Sequence, residues 1–265
     1  MEVVVVTGEE GADLVKQFHS KYIQPTFASN EVEDVALWIE RLEDASKRRK
    51  SGEDGPAPSF EFVVAVAISN EGGIRSVVGG ASCELYRGCD CGLVTYVVVD
   101  VDLRGQGVAR KLFDACYTAC VDIANHFNGM FIEVLQKRDT SEEAKVAAAN
   151  TNKAAIFSSL GFLPLDGDLV HPGRMRGHRY TLGFYSKSLA ISTTSNNASI
   201  ASDANALLSV PWEVVRAFAT DMFLGILADE DKTGLDADKE VDTLLLAYQR
   251  CPTRTHIVAH PKFWL

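Results

Sequence analysis

The sequence predicts an α/β domain followed by a helical extension, and three observations carry that reading. Short β-branched runs alternate with longer segments of helical apolar spacing. Asn70-Glu71-Gly72-Gly73 joins two apolar runs in the manner of a tight hairpin, which makes those strands antiparallel. The run Val97-Val98-Val99-Asp100 passes through a glycine-spaced turn into a helical pattern and returns as an apolar run from Met130 to Leu135, a βαβ unit with a right-handed crossover.

In chain order, residues 2–6 read as a strand and residues 9–24 and 31–50 as helices, the second ending in Lys47-Arg48-Arg49-Lys50. Ser51 to Ser59, with two glycines and two prolines, is a loop. Strands follow at 61–69, 76–86 and 93–100, a helix from the glycine turn to about 127, and a strand at 130–135. Thr140-x-x-Glu143 has the capping-box pattern and opens a helix that Gly161 stops after Leu160. Two more strands fall near 162–170 and 179–187. The composition then shifts to Ser, Thr, Asn and Ala, giving a domain over 1–188, a linker over 189–208 and a helical extension over 209–265. In that extension Ser209-Val210-Pro211-Trp212-Glu213 resembles a helix start, a second helix covers about 237–250, and the apolar end from His260 to Leu265 is expected to dock.

At 265 residues and 46% hydrophobic content the chain can bury a full core. A net charge of −10 argues against general nucleic-acid binding, which needs a basic face, and favours cationic small molecules. Val3 to Val6 is too short for a signal peptide and no window reaches a membrane span, so the expectation is a cytoplasmic protein with no membrane partner. The six cysteines form no Cys-x-x-Cys pair and read as reduced thiols, with Cys116 and Cys120 on one buried helical face.

The turn carries the chemistry. Gly105 and Gly107 permit backbone conformations closed to other residues, the first turn of the following helix has amides without internal acceptors, and its dipole is positive at that end. Such a site suits a pyrophosphate, and Arg110 and Lys111 add charge. A Walker loop is excluded because Val108 follows Gly107, and the dinucleotide fingerprint is excluded by glycine spacing. Arg104-x-x-Gly107-x-Ala109 after a buried strand resembles the acyl-CoA loop of the GNAT superfamily of acetyltransferases, and Ala154 to Phe162 resembles that family's closing motif.

The resemblance covers about residues 2–187 and implies a mixed, mostly antiparallel central sheet flanked by helices, with acetyl-CoA as acyl donor. It implies that Val97, Val98 and Val99 bond the pantetheine arm in a gap whose other wall is Met130 to Val134. Arg104, Gly105, Gln106, Gly107, Val108, Ala109 and Arg110 would hold the pyrophosphate. The family's asparagine near the closing helix matches either Asn150 or Asn152. Its tyrosine, a proton donor to the departing thiolate, is replaced here by Phe157, so the donor would be Ser158, Tyr96, Tyr185 or water, or none is needed.

An amine must lose its proton before it attacks a thioester, so the site needs a base and an oxyanion donor. The amide near Val98 or Val99 is the candidate donor; Glu133 and Glu84 are the candidate bases, and Tyr96 is either a cleft residue or a core tyrosine with a satisfied hydroxyl. His171 to Arg179 is locally basic and could hold an anionic group of the acceptor, or be a solvated loop. Asp229 to Glu240 has calcium-loop spacing, but Thr233 is a weak ligand, Asp236 takes a normally apolar position and no second hand exists, so a helix-capping polar turn accounts for it better. Cys251, His256 and His260 are too loosely spaced to define a metal site, and no metal is expected. The resulting expectation is acetyl transfer to an amine of a small molecule or protein in a ternary complex; the alternative is a non-catalytic CoA-binding module of the same fold. A homodimer is compatible with either.

Overall fold

The computed structural model describes residues 1–29, 32–52, 60–135, 153–170, 179–187, 208–229 and 256–259, in two compact units, Met1–Phe127 and Asn128–Leu265. The first unit contains strands β1 (Glu2–Val6), β2 (Phe60–Glu71), β3 (Ile74–Tyr86) and β4 (Cys91–Val99), all antiparallel and in that order. Helix α1 (Ala12–Phe18), a π-helical turn (His19–Ile23), the short α2 (Gln24–Thr26) and α3 (Val35–Ser51) supply one set of core residues. Alternation explains the layering. Phe62, Val64, Val66 and Ile68 of β2 cluster with Phe18, Tyr22, Trp38 and Leu42. The opposite face meets α4 (Val108–Ile123), where the Cys83 and Cys120 sulfurs lie 3.6 Å apart and the Cys116 thiol faces the Ala81 carbonyl. Because both faces are covered, β2 is apolar without alternation from Phe62 to Ile68.

The hairpin forms as expected. Gly72 and Gly73 both take positive φ, +60° and +83°, between the paired residues Glu71 and Ile74, the geometry of a turn whose twist matches its strands. The Asp34 carboxylate caps α3 by accepting from the Ala36 amide at 2.9 Å, which sets the helix start at Val35 rather than 31. A Cβ on Gly80 would sit 2.7 Å from the Phe18 ring, so glycine at 80 is what lets α1 pack onto β3. Glu61, 2% exposed, is satisfied by Arg49 from α3 and by Arg87 from the turn after β3.

In the second unit the strand order is β5 (Gly129–Leu135), β7 (Arg179–Tyr185), β6 (Leu163–Val170), β9 (His256–Ala259) and β8 (Leu208–Pro211), again with antiparallel pairings. A short helix, α5, spans 153–159 and a long one, α6, spans Trp212–Asp229. Helix α6 is anchored by Phe218, whose ring stacks on Phe131 of β5 at 4.0 Å.

The mixed α/β class and antiparallel sheet agree with the expectation, but the C-terminal part differs from it. Residues 208–211 and 256–259 are strands, and β9 bonds to β6, so the described part of the segment after 208 holds two short strands beside helix α6. The Leu165–Ala259 pairing and the Phe131–Phe218 stack join it to β6 and β5 within the unit Asn128–Leu265. Pro211 ends a strand instead of opening the helix, which starts one residue later at Trp212. The Thr140 capping box, the basic segment 171–178, the helix expected at 237–250 and the apolar end 260–265 lie outside the described residues. Among the described residues no helix is long and apolar enough to cross a membrane.

Candidate functional site

β4 is bent by a bulge. Ser82 pairs with Tyr96 and Cys83 with Val94, leaving Thr95 as the extra residue. Its hydroxyl is fixed at 2.7 Å from that of Ser82 and donates to the Ser82 carbonyl at 3.2 Å. A bulge bends and twists its strand, and here it falls just before Val97, Val98 and Val99, which pair with Ala81, Gly80 and Gly79. Gly79 is required by this approach. Its φ is +158°, and a Cβ there would meet the Val98 carbonyl oxygen at 2.7 Å.

Beyond Val99 the chain makes a one-turn 3₁₀ helix, Val101–Leu103, and then the glycine turn. Gly105 and Gly107 have φ of +76° and +77°, the left-handed conformation expected from their sequence positions, and a Cβ on either would meet open space. Gly107 is the N-cap of α4 and brings no side chain to the helix start, so no capping side chain covers the first-turn amides. Residues 104–107 are exposed, whereas Val108 is buried and pins the helix to the sheet. Gln106 closes the turn by donating from Nε2 to the Asp102 carbonyl at 3.1 Å. Arg104 turns back toward the strand, donating from Nε to the Val99 carbonyl at 3.3 Å. Arg110 lies with its guanidinium carbon 5.9 Å from the Phe113 ring centre. Ala109, beside it, is half-buried.

Asp100 joins strand to turn. Its amide donates to the Val78 carbonyl at 2.9 Å, and its carboxylate accepts from the Tyr22 hydroxyl at 2.8 Å and from the Asp102 amide at 3.2 Å. The Tyr22 bond, with the Asp102 amide second, holds the Asp100 carboxyl below the usual carboxylate range. Burial, and then the Asp100 bond, push the Tyr22 hydroxyl well above the ordinary tyrosine range. Neither Tyr22 nor Asp100 was signalled by the sequence motifs. The Tyr–Asp pairing is set by two segments 78 residues apart.

Glu84 and Tyr96 belong to the same unit as the turn. Glu84 accepts from the Tyr86 hydroxyl and is half-buried. Tyr96 packs edge-on against Phe27 at 4.9 Å and lies 5.5 Å from Trp38, which places its ring among the aromatic core residues. Glu133 and Phe157 belong to the second unit. Glu133 sits on β5 opposite Leu182, with its Oε1 withdrawn from solvent. Phe157 and Gly161 end helix α5 in a Schellman arrangement. The Phe162 amide donates to the Phe157 carbonyl at 3.0 Å, the Gly161 amide to Ser158 at 2.9 Å, Gly161 has φ +89°, and the Phe157 and Phe162 rings meet edge to face at 5.6 Å. The Phe157 ring therefore serves the helix stop. Asn152 and Asn150 lie outside the described residues.

Among the described residues no cluster of three or more His, Cys, Asp or Glu side chains could hold a metal ion; of the calcium-like segment only Asp229, the last residue of α6, is described. The five cysteines described are free thiols and buried. Hydrogen bonding to Cys116, then to Cys120, and burial hold the Cys83 thiol well above its ordinary range, which makes it inert rather than nucleophilic.

No protein-family profile matches the sequence, and no curated protein matches it. Among solved structures the chain is similar to NAA60 of Arabidopsis thaliana in complex with acetyl-CoA, at 10% identity over 69% of this chain and 98% of that one, with a TM-score of 0.44. It is also similar to an N-acetyltransferase from Staphylococcus aureus Mu50, at 12% identity over 70% and 98% of the two chains, with a TM-score of 0.44. A third similar structure is an aminoglycoside 6'-N-acetyltransferase complexed with coenzyme A, at 9% identity over 70% and 96%, with a TM-score of 0.41.

Proposed function

We propose that the chain is an acyl-CoA-dependent N-acetyltransferase of the GNAT type. The observation that carries this reading is the exposed turn whose two glycines adopt left-handed φ at the head of α4, directly after a bulged strand. In this reading the amides of Gly105, Gln106, Gly107, Val108 and Ala109, with Arg110, hold the pyrophosphate of acetyl-CoA, and Val97, Val98 and Val99 bond the pantetheine arm. Arg104, engaged with the Val99 carbonyl, stiffens the turn, and phosphate binding falls to the backbone amides and Arg110.

Transfer is direct. The amine nitrogen attacks the thioester carbonyl, the C–S bond breaks after the tetrahedral intermediate, and the amine proton passes to a carboxylate or to water. Glu133 is the proposed base and Glu84 the second candidate, with Glu84 already accepting from Tyr86. Phe157 has no proton to give, so the thiolate leaves as such or takes its proton from water, in keeping with a thiol pKa of roughly 8.5. The net charge of −10 favours a cationic amine as acceptor. The partially buried Tyr96 and the engaged Glu84 are the features that favour the alternative, a CoA-binding module without turnover.

Free-thiol release from acetyl-CoA, followed with a panel of polyamines, small amines and peptide amino termini, tests the reading. Amine-dependent release is expected, and Glu133→Gln is expected to lower kcat by about 100-fold, the usual contribution of a general base, against a smaller loss for Glu84→Gln. Tight CoA binding without release for any amine would establish the module instead.

A further inference from the structure

The π-helical turn after α1 is tied to the phosphate turn by side chains that the transfer itself does not use. π-helical turns insert a residue into the helical repeat and are frequent at functional sites. Here the insertion directs Tyr22 and Lys21 at the sheet. The Tyr22 hydroxyl donates to Asp100 Oδ2 at 2.8 Å and also lies 3.2 Å from the Val77 carbonyl, to which Lys21 Nζ donates at 3.0 Å. The Val77 carbonyl sits beside a second bulge, because Ile68 pairs with Val77 and Ala67 with Gly79, leaving Val78 as the extra residue of β3. The Val78 carbonyl in turn takes the Asp100 amide.

Asp100 is thus held from both sides. Oδ1 and the main-chain carbonyl bind forward into the turn, through the Asp102 amide at 3.2 Å and the Leu103 amide at 3.0 Å, while Oδ2 binds back to the helical segment. The Tyr22 ring is 7% exposed and packs 6.4 Å from Phe18, so the ring alone satisfies the core. What the hydroxyl adds is the bond to Asp100, the residue that starts the phosphate turn, and its contact with the Val77 carbonyl.

We propose that Tyr22 is a positioning residue for the acyl donor: through Asp100 its hydroxyl holds residues 100–107 in the conformation that presents the Gly105 to Ala109 amides. The inference rests on the transferase reading of that turn. An apparent dissociation constant equals the intrinsic one divided by the fraction of protein in the binding conformation, so loosening the turn weakens CoA without altering any contact to it. Chemistry at saturating donor is then untouched.

Tyr22→Phe keeps the ring and removes the hydroxyl. The expected results are a rise of about tenfold in the CoA dissociation constant and in KM for acetyl-CoA, the scale of a lost bond to a charged group, with kcat unchanged. Amide exchange of residues 101–107 is expected to speed up in the CoA-free protein. Asp100→Asn, which cannot serve both partners as a carboxylate, is expected to act in the same direction. Phe18→Leu loosens the same core cluster without touching the hydroxyl, and is expected to lower the melting temperature while leaving exchange at 101–107 and CoA affinity as in the wild type. Wild-type affinity and exchange in Tyr22→Phe, or equal losses in Phe18→Leu, would overturn the assignment. If the wild type fails to bind CoA the donor role falls together with the transferase reading, and faster exchange at 101–107 in Tyr22→Phe then shows that the tie exists and that the ligand was misassigned.

Discussion

Replacing Gly107 with valine is expected to lower CoA affinity by more than about 100-fold, or roughly 2.7 kcal/mol, while leaving the protein folded. Two effects combine. The backbone at 107 has φ +77°, a conformation that costs an ordinary L-residue about 1–2 kcal/mol and a β-branched one more, so the turn relaxes away from its ligand-ready shape. Whatever fraction keeps the shape carries a branched side chain where the phosphate must approach the amides. The fold survives because a Cβ at 107 meets nothing within 4 Å, so no core contact is disturbed. Calorimetric titration with CoA, beside a thermal melt, separates the two consequences. Gly107→Ala, with the φ strain but little bulk, is expected to fall between valine and the wild type.

The largest effect on stability is expected at Trp38. Trp38→Ala should cost about 3–5 kcal/mol in urea unfolding, the range for emptying a buried aromatic site. The indole is fully buried and meets His19 and Phe62 edge-on, each at 5.1 Å, Tyr96 at 5.5 Å and Phe18 at 6.4 Å. It also donates from Nε1 to Glu33 Oε2 at 3.1 Å, an oxygen that Arg41 binds at 2.8 Å. Truncation therefore opens a cavity among α1, α3 and β2 and removes one donor from Glu33. Trp38→Phe, which refills much of the volume but lacks the donor, should recover most of the loss.

The turn was legible because the φ demands of glycine act locally. Two glycines spaced by one residue after a β-branched run leave few conformations, and Gly105 and Gly107 adopt the one the sequence suggests. The Gly72-Gly73 hairpin and the Gly161 helix stop were legible for the same reason. The bulge at Thr95 was not, since Val94, Thr95 and Tyr96 all favour extended backbone and nothing in their order says which residue is the extra one. Nor was the π-helical turn, because an inserted residue shifts the apolar phase after His19 in a way that resembles ordinary scatter. At the C-terminal side Pro211 fits both a helix start and a strand end, and only the pairing of β8 with β9 decides between them. The tie from Tyr22 to Asp100 is a tertiary contact between segments that carry no shared motif.

The residues of the second unit illustrate the other limit. The resemblance sets Phe157 against a tyrosine, and its ring is engaged with Phe162 in the helix stop. Glu133 lies on β5 in register with Leu182, which fixes its strand position.

The central claim, that the turn after β4 is the acyl-CoA site, is tested most directly by following backbone amide resonances in the full-length protein while CoA is added. The expected result is that Gly105, Gln106, Gly107, Val108 and Ala109 show the largest shifts, saturating with one CoA per chain, and that dephospho-CoA, which keeps the pyrophosphate, moves the same amides. Unmoved resonances at these five residues in the presence of saturating CoA, or shifts confined to other segments, would contradict it.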